Sequence, residues 1–147
     1  GTFWGNDFAG GSAGGPSPYP IPKGVWLTVE FMVTLNSPVS SYSGEQALWI
    51  NGVKKIHLGM GFPAGNWVGG HFVPSATGQP FEGFQWRSTT ALMLNFLWLQ
   101  LYVDSDPNCK AWIDDLVVAT DYVGPVSAPG DVTPPYSPLN LIRTDRR

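Results

Sequence analysis

Three polar side chains that can bind an anion and transfer a proton lie close together in the segment EQALWINGVKKIHLG. Gln46 offers an amide, Lys55 an ammonium group and His57 an imidazole, the side chain whose charge changes near neutral pH. Acid–base chemistry beside a carboxylate needs such groups, together with a further proton carrier such as the Tyr102 phenol. The alternative interpretation is that these side chains are solvated residues of an outer sheet.

The neighbouring aspartates Asp114 and Asp115, in the segment WIDDLVVATDYVGP, are a second candidate. On a β-strand two adjacent side chains point to opposite faces, so these carboxylates cannot act together on one substrate atom. One of them can instead ligate a structural Ca²⁺ with loop carbonyl groups, and the alternative is hydrogen bonding to neighbouring loops. Apart from that calcium ion we expect no cofactor.

The remaining carboxylates and motifs disfavour a hydrolase. Glycoside hydrolysis needs two carboxylates that face each other across about 5 to 10 Å. Glu30, Glu45 and Glu82 are isolated in the sequence. The chain also has no G-x-S-x-G nucleophile elbow, phosphate-binding loop or H-E-x-x-H metal motif.

Tryptophan is abundant, with seven in 147 residues. Its ring stacks on the apolar faces of pyranose sugars, so an exposed tryptophan is a candidate platform for a glycan. The sequence segments around the individual tryptophans predict exposure for Trp4, Trp26, Trp67 and Trp86. They predict core positions for Trp49, Trp98 and Trp112.

The segment VWLTVEFMVTLN must position several of these residues, and its alternation predicts a half-buried strand. The predicted core face carries Leu27, Val29, Phe31, Val33 and Leu35. Glu30 lies on the other face with Trp26 and Thr28. We therefore expect Trp26 and Glu30 to point away from the core, where they can bind a ligand.

The dipeptide Asn51-Gly52 predicts a β-hairpin, because both residues accept the positive φ of a type I′ turn. The pair next to the turn is then Ile50 and Val53. Counting outward from that pair places Gln46 opposite His57. The predicted register gives a polar face with Gln46, Lys55 and His57, and an apolar face with Ala47, Trp49, Ile56 and Leu58, with Lys54 on the apolar face beside the turn.

Further strands are predicted around residues 67–73 and 81–86, in the apolar run TALMLNFLWLQLYVD, and at WIDDLVVAT before Gly124-Pro125. The chain shows no convincing helix. Residues 25–125 therefore predict an antiparallel β-sandwich domain of the jelly-roll type. Residues 1–24 are predicted to form a Gly/Pro-rich arm or loop, and residues 126–147 a Pro-rich linker or tail.

Composition excludes some partners. The net charge is −3 and eight Lys and Arg residues are scattered along the chain, so a nucleic-acid partner is not expected. No apolar run approaches the roughly 20 residues that span a bilayer, so membrane insertion is not expected either. A charged fraction of 13%, with abundant Gly, Pro and aromatic residues, favours a secreted, extracellular protein.

The segments WLTVEFMVTLNSP, SGEQALWINGVKKIHLG and WIDDLVVATDYVGP follow one another in an order that resembles a known family. It is the concanavalin A-like jelly-roll domain of secreted polysaccharide lyases of the alginate and glucuronan type, in its C-terminal half. The resemblance covers residues 26–125 and implies an all-β antiparallel jelly roll. The tail DVTPPYSPLNL is similar to the opening of a fibronectin type III module, which implies other domains of a longer chain as partners.

The resemblance also implies roles for the polar residues of the hairpin. In a lyase of this type, Lys55 or Gln46 would engage a uronate carboxylate, and His57 or Tyr102 would shuttle the proton. The composition predicts first an extracellular, lectin-like domain that binds a polysaccharide or oligosaccharide. The alternatives are a lyase that cleaves uronate-containing glycans by β-elimination, and a structural module of a secreted multidomain or self-associating surface protein. The predicted substrate-binding residues are Trp26, Glu30, Trp67 and Trp86.

Overall fold

The computed structural model describes residue 22 and residues 24–68, 70–99 and 110–125. Within these ranges the chain is all-β and forms two antiparallel sheets without a helix. Its strands are β1 (Val29–Thr34), β2 (Glu45–Ile50), β3 (Val53–Leu58), β4 (Ala64–Val68), β5 (His71–Pro74) and β6 (Gln79–Pro80). No helix with the length and hydropathy of a membrane span occurs in the described residues. Trp4, Tyr102, residues 1–21 of the predicted arm and residues 126–147 lie outside them.

The first sheet has the strand order β1-β2-β3, and the predicted hairpin joins β2 to β3. Asn51 and Gly52 have φ values of 50° and 72°, and Ile50 pairs with Val53, which confirms the turn and its first pair. Asn51 also holds the start of β1. Its backbone N–H donates to the carbonyl of Thr28 at 2.8 Å, and its Oδ1 accepts from the Thr28 N–H at 3.0 Å.

The predicted hairpin register is wrong beyond the second pair, because a β-bulge interrupts the ladder. Trp49 pairs with Lys54, but the next pair is Leu48 with Ile56, so Lys55 is the additional residue of β3. The pairs that follow are Ala47 with His57 and Gln46 with Leu58. A shift of one residue moves every later side chain to the other face, so Gln46 and His57 lie on opposite faces of the sheet.

The second sheet has the order β5-β4-β6, and one apolar cluster joins the two sheets. The segment predicted as one strand around 67–73 is in fact the hairpin of β4 and β5. The cluster draws on β3, on β5 and on the loop that follows β6, and its buried members are Ile56, Leu58, Phe72, Phe81 and Phe84. Leu48 and Trp86 pack against it. Two antiparallel sheets with shared apolar contacts are consistent with a β-sandwich.

Among the described strands, β1 is an edge of the first sheet, and this position explains an unexpected exposure. Phe31 pairs with Leu48 and Val29 pairs with Ile50, so the predicted apolar face of β1 does share a side of the sheet with the core. However, Phe31 is 54% exposed and Val29 is 58% exposed. The prediction that they are buried is wrong, because the buried cluster lies against β2 and β3.

A buried amide connects the end of β1 to the chain beyond the second sheet. Asn36 is fully buried, and its Nδ2 donates to the carbonyl groups of Val39 and Arg87 at 2.9 and 3.0 Å. Its Oδ1 accepts from the backbone N–H of Arg87 at 2.9 Å, and the Arg87 Nε donates to the Asn36 carbonyl. The amide thus has the partners that a buried polar group requires.

The later predicted strands do not form in the described part of the chain. Residues 91–99 and 110–119 have no strand assignment and are exposed. Residues 81–86 also have no strand assignment, except for isolated bridges at Phe84, but Phe81 and Phe84 are buried in the core. An apolar, alternating sequence selects a face, but a strand also needs a neighbour that accepts and donates its ladder hydrogen bonds. Residues 91–99 and 110–119 have no such neighbour among the described residues.

Candidate functional site

The first candidate is the contact between His57 of β3 and Glu45 of β2. The imidazole Nε2 of His57 lies 2.8 Å from Glu45 Oε2, and the two side chains are 27% and 34% exposed. His57 pairs with Ala47, so Glu45, two residues further along β2, is its diagonal neighbour on the same face. A carboxylate that holds a partly exposed imidazole is an arrangement that can move protons, because the contact fixes the orientation of the ring.

A tight turn after β3 places a ring beside this pair. Gly59 and Phe62 donate their backbone N–H groups to each other's carbonyls at 2.9 and 3.0 Å. The Phe62 ring meets the imidazole of His57 edge-on, with centroids 4.8 Å apart. A Cβ at Gly59 would overlap that ring and approach the Glu45 side chain, so only glycine leaves the space that both side chains use.

The second candidate is the contact between Trp67 of β4 and Glu82, which follows β6. The indole Nε1 of Trp67 donates to Glu82 Oε2 at 3.3 Å, and both residues are exposed. Trp67 is 43% exposed, and the rest of its ring packs against the core. Phe72 meets it edge-on at 5.6 Å and Phe81 meets it at 6.2 Å. The core therefore holds an accessible aromatic ring in one position, with a carboxylate at its edge.

A row of aromatic rings connects the two candidates. Phe72 contacts Phe81 at 4.8 Å, Phe81 contacts Phe84 at 4.9 Å, and Phe84 stacks on Trp86 at 4.3 Å. The Trp86 Nε1 in turn donates to the backbone carbonyl of Glu45 at 3.4 Å. The Trp67 ring and the strand that carries Glu45 are thus supported by one continuous aromatic core.

Glu30 has a structural contact on the outer face of the first sheet. Its Oε1 and Oε2 accept the backbone N–H groups of Val123 and Gly124, both at 2.9 Å. The Tyr122 ring lies 5.1 Å from the ring of Trp49, which is opposite Glu30 in the register. The prediction that Glu30 points away from the core agrees with this position, and its carboxylate binds a neighbouring segment of the chain.

The predicted polar set is divided by the structure. Gln46 is 6% exposed on the core side of the sheet, and its Oε1 has no hydrogen-bond partner among the described residues. Lys55 is the bulge residue and is half-buried. His57 is on the outer face with Glu45. The predicted common face of Gln46, Lys55 and His57 is therefore wrong, while their catalytic roles remain predictions.

The tryptophans occupy several environments. Trp26 and Trp86 are half-buried, as is Trp49, whereas Trp67 is exposed. Trp98 is 71% exposed and Trp112 is 40% exposed, so the predicted core positions of these two are wrong. They belong to the segments that lack a partner strand, and no second layer covers them among the described residues.

Asp114 and Asp115 are not on a strand. Asp115 has a φ of 50°, its backbone N–H donates to Asp114 Oδ1 at 2.8 Å, and both residues are exposed. The prediction that they point to opposite faces of a strand is therefore wrong. Within the described ranges no group of three or more His, Cys, Asp and Glu side chains gathers as metal ligands would. The proposed calcium role remains a prediction.

Glu45 and Glu82 are isolated carboxylates in the sequence, so the sequence does not predict them as partners of His57 and Trp67. One signal of the bulge was present, because the regular register placed the charged Lys54 on the apolar face. A bulge at the Lys54-Lys55 pair resolves that conflict and brings His57 to Glu45. No comparable signal links Trp67 with Glu82, because the two residues belong to different elements.

The chain was compared with protein-family models, curated proteins and solved structures, and none of them matches it.

Proposed function

We propose that this chain is an extracellular carbohydrate-binding domain with a concanavalin A-like jelly-roll fold, belonging to a polysaccharide-active protein. The observation that carries this proposal is the Trp67 ring, which is 43% exposed and is fixed from behind by Phe72 and Phe81. A rigid ring can stack on a pyranose without losing much conformational entropy on binding. The neighbouring Glu82 carboxylate can accept hydrogen bonds from sugar hydroxyl groups.

The fold assignment within this proposal rests on the all-β architecture and on the sequence resemblance. Two antiparallel sheets that share one apolar cluster are consistent with a β-sandwich, the architecture to which jelly rolls belong. The secreted location rests on the composition, with 13% charged residues and many Gly, Pro and aromatic residues. A polysaccharide or oligosaccharide is the proposed partner, with other domains of a longer chain.

The test is binding of the chain to an array of glycans, followed by calorimetry with the best ligand. Trp67→Ala is expected to abolish detectable binding, whereas Trp67→Phe, which keeps a smaller ring, is expected to weaken it. Trp98→Ala is the matched control, because Trp98 is an exposed tryptophan in another segment. Binding that survives Trp67→Ala and is lost in Trp98→Ala would overturn the assignment to this surface.

A polysaccharide lyase is the second candidate, and the Glu45–His57 contact favours it. The imidazole Nε2 faces the carboxylate at 2.8 Å, so Nδ1 is the nitrogen that remains to exchange a proton with a substrate. Incubation with alginate and glucuronan, followed by ultraviolet absorbance of the unsaturated product, tests this candidate. Product that disappears in His57→Gln would favour the lyase over the binding domain.

A further inference from the structure

We infer that the surface formed by Trp67 and Glu82 selects neutral glycans and discriminates against uronates. This inference rests on the proposed function, since it names the class of sugar that the same surface would take. A preference for neutral glycans differs from what the resemblance to alginate and glucuronan lyases implies, because the substrates of those lyases are polyanions.

The acceptor capacity of Glu82 is the first step of the argument. An ionised carboxylate has about four acceptor sites and no donor. The Trp67 Nε1–H fills one of them on Oε2, at 3.3 Å, and orients the group along the edge of the ring. The remaining sites of this exposed carboxylate face donors in solution. A sugar stacked on Trp67 would bring hydroxyl groups to that edge, and hydroxyl groups are donors.

The charge at the surface is the second step. A uronate carries a carboxylate in place of the hydroxymethyl group, so it offers an acceptor and a negative charge to a group that is already negative. Two such charges repel, and neither can donate a hydrogen bond to the other. Among the described residues no salt bridge to the Glu82 carboxylate occurs. The chain as a whole is also acidic, with a net charge of −3.

The support behind Trp67 is the third step. The ring is held by Phe72 and Phe81, which are each 2% exposed, so the ring cannot turn away from Glu82 without disturbing the core. A glycan that stacks on the ring therefore meets the carboxylate in a fixed position. This rigid pairing is what makes the surface selective for uncharged sugars.

The experiment uses pairs of oligosaccharides that differ at the sixth carbon of each sugar. Cello-oligosaccharides are compared with glucuronan oligosaccharides, and mannan oligosaccharides with mannuronan oligosaccharides, by calorimetry at low and high salt. We expect at least one neutral member to bind and its uronate counterpart to bind at least roughly tenfold more weakly at low salt. High salt is expected to narrow the difference, because it screens the repulsion between exposed charges.

Glu82→Gln is the decisive variant, because the amide keeps the shape and removes the charge. It is expected to weaken neutral binding by roughly fivefold, since a charge-assisted hydrogen bond becomes a neutral one, and to reduce the discrimination against the uronate. Asp121→Asn is the matched control: it removes one negative charge from an exposed residue in another segment and is expected to change neither affinity.

The outcomes separate this inference from the proposed function. A uronate that binds as tightly as its neutral counterpart, with both lost in Trp67→Ala, would overturn the selectivity and leave the carbohydrate-binding domain in place. Equal effects of Glu82→Gln and Asp121→Asn would also overturn it, because net charge alone would then explain the preference. No binding to any glycan would overturn both.

Discussion

His57 and Glu45 lie diagonally across strands β2 and β3, with Nε2 and Oε2 separated by 2.8 Å. The contact exists because Lys55 bulges out of the ladder, which brings His57 to the face that carries Glu45. Phe62 closes one side of the imidazole, and Gly59 leaves the space for that ring. One additional residue in a strand thus brings an imidazole and a carboxylate into contact.

The strength of this pair is the first testable property. Both side chains are about one-third exposed, so solvent screens their attraction. A double-mutant cycle with Glu45→Gln and His57→Gln is expected to give a coupling free energy of about 0.5 kcal/mol. Urea unfolding of the four proteins measures it. A coupling of zero within error would mean that the two side chains do not meet in solution.

The β-bulge at Lys55 is the second testable property. Deleting one lysine of the Lys54-Lys55 pair should regularise the ladder and leave Ile56 and Leu58 on the core face. The shortened hairpin is expected to unfold cooperatively, with a free energy of unfolding within about 1 kcal/mol of the parent. Under a register without a bulge the same deletion would turn His57 into the core and Leu58 out of it. A large loss of stability would therefore support that register and contradict the present one.

The aromatic core that supports Trp67 is the third testable property. Phe72 is 2% exposed and contacts both Trp67 and Phe81. Phe72→Ala is expected to lower the free energy of unfolding by about 3 to 5 kcal/mol, because it leaves a cavity between the sheets. Phe96→Ala, at a residue that is 78% exposed, is the control and is expected to change it by less than about 0.5 kcal/mol.

Thermal unfolding followed by calorimetry compares the two variants. Equal effects of Phe72→Ala and Phe96→Ala would contradict the position of the core. In Phe72→Leu, which keeps an apolar side chain but no ring, a smaller loss of stability is expected. In Phe72→Leu the Trp67 ring would lose its edge-on contact with the ring of Phe72. Glycan affinity should therefore fall even though this variant is more stable than Phe72→Ala.

The role of the Glu30 carboxylate is the fourth testable property. This carboxylate accepts the backbone N–H groups of Val123 and Gly124, so it fixes that segment on the outer face of the first sheet. Glu30→Ala is expected to speed hydrogen exchange at these two amides by about tenfold, because it removes a charge-assisted hydrogen bond from each of them. Glu82→Ala, which removes a carboxylate with no backbone N–H partner among the described residues, should leave these exchange rates unchanged.

The features that depend only on neighbouring residues could be predicted from the sequence. The all-β class follows from alternation with a period of two, and the turn at Asn51-Gly52 follows from the φ values that these two residues accept. The faces of β1 were also predictable, since Phe31 shares a side with Leu48, and Glu30 lies on the other side. These properties need no knowledge of what packs against the strand.

The contacts between residues that are distant in the sequence depend on the tertiary structure. The bulge at Lys55 depends on the core, because Ile56 and Leu58 are buried only if the ladder shifts by one residue. The contact of Trp67 with Glu82 depends on the path of the chain after β6. The predicted core position of Trp98 is wrong for the same reason. An apolar sequence favours burial, but it does not specify the surface against which the residue would pack.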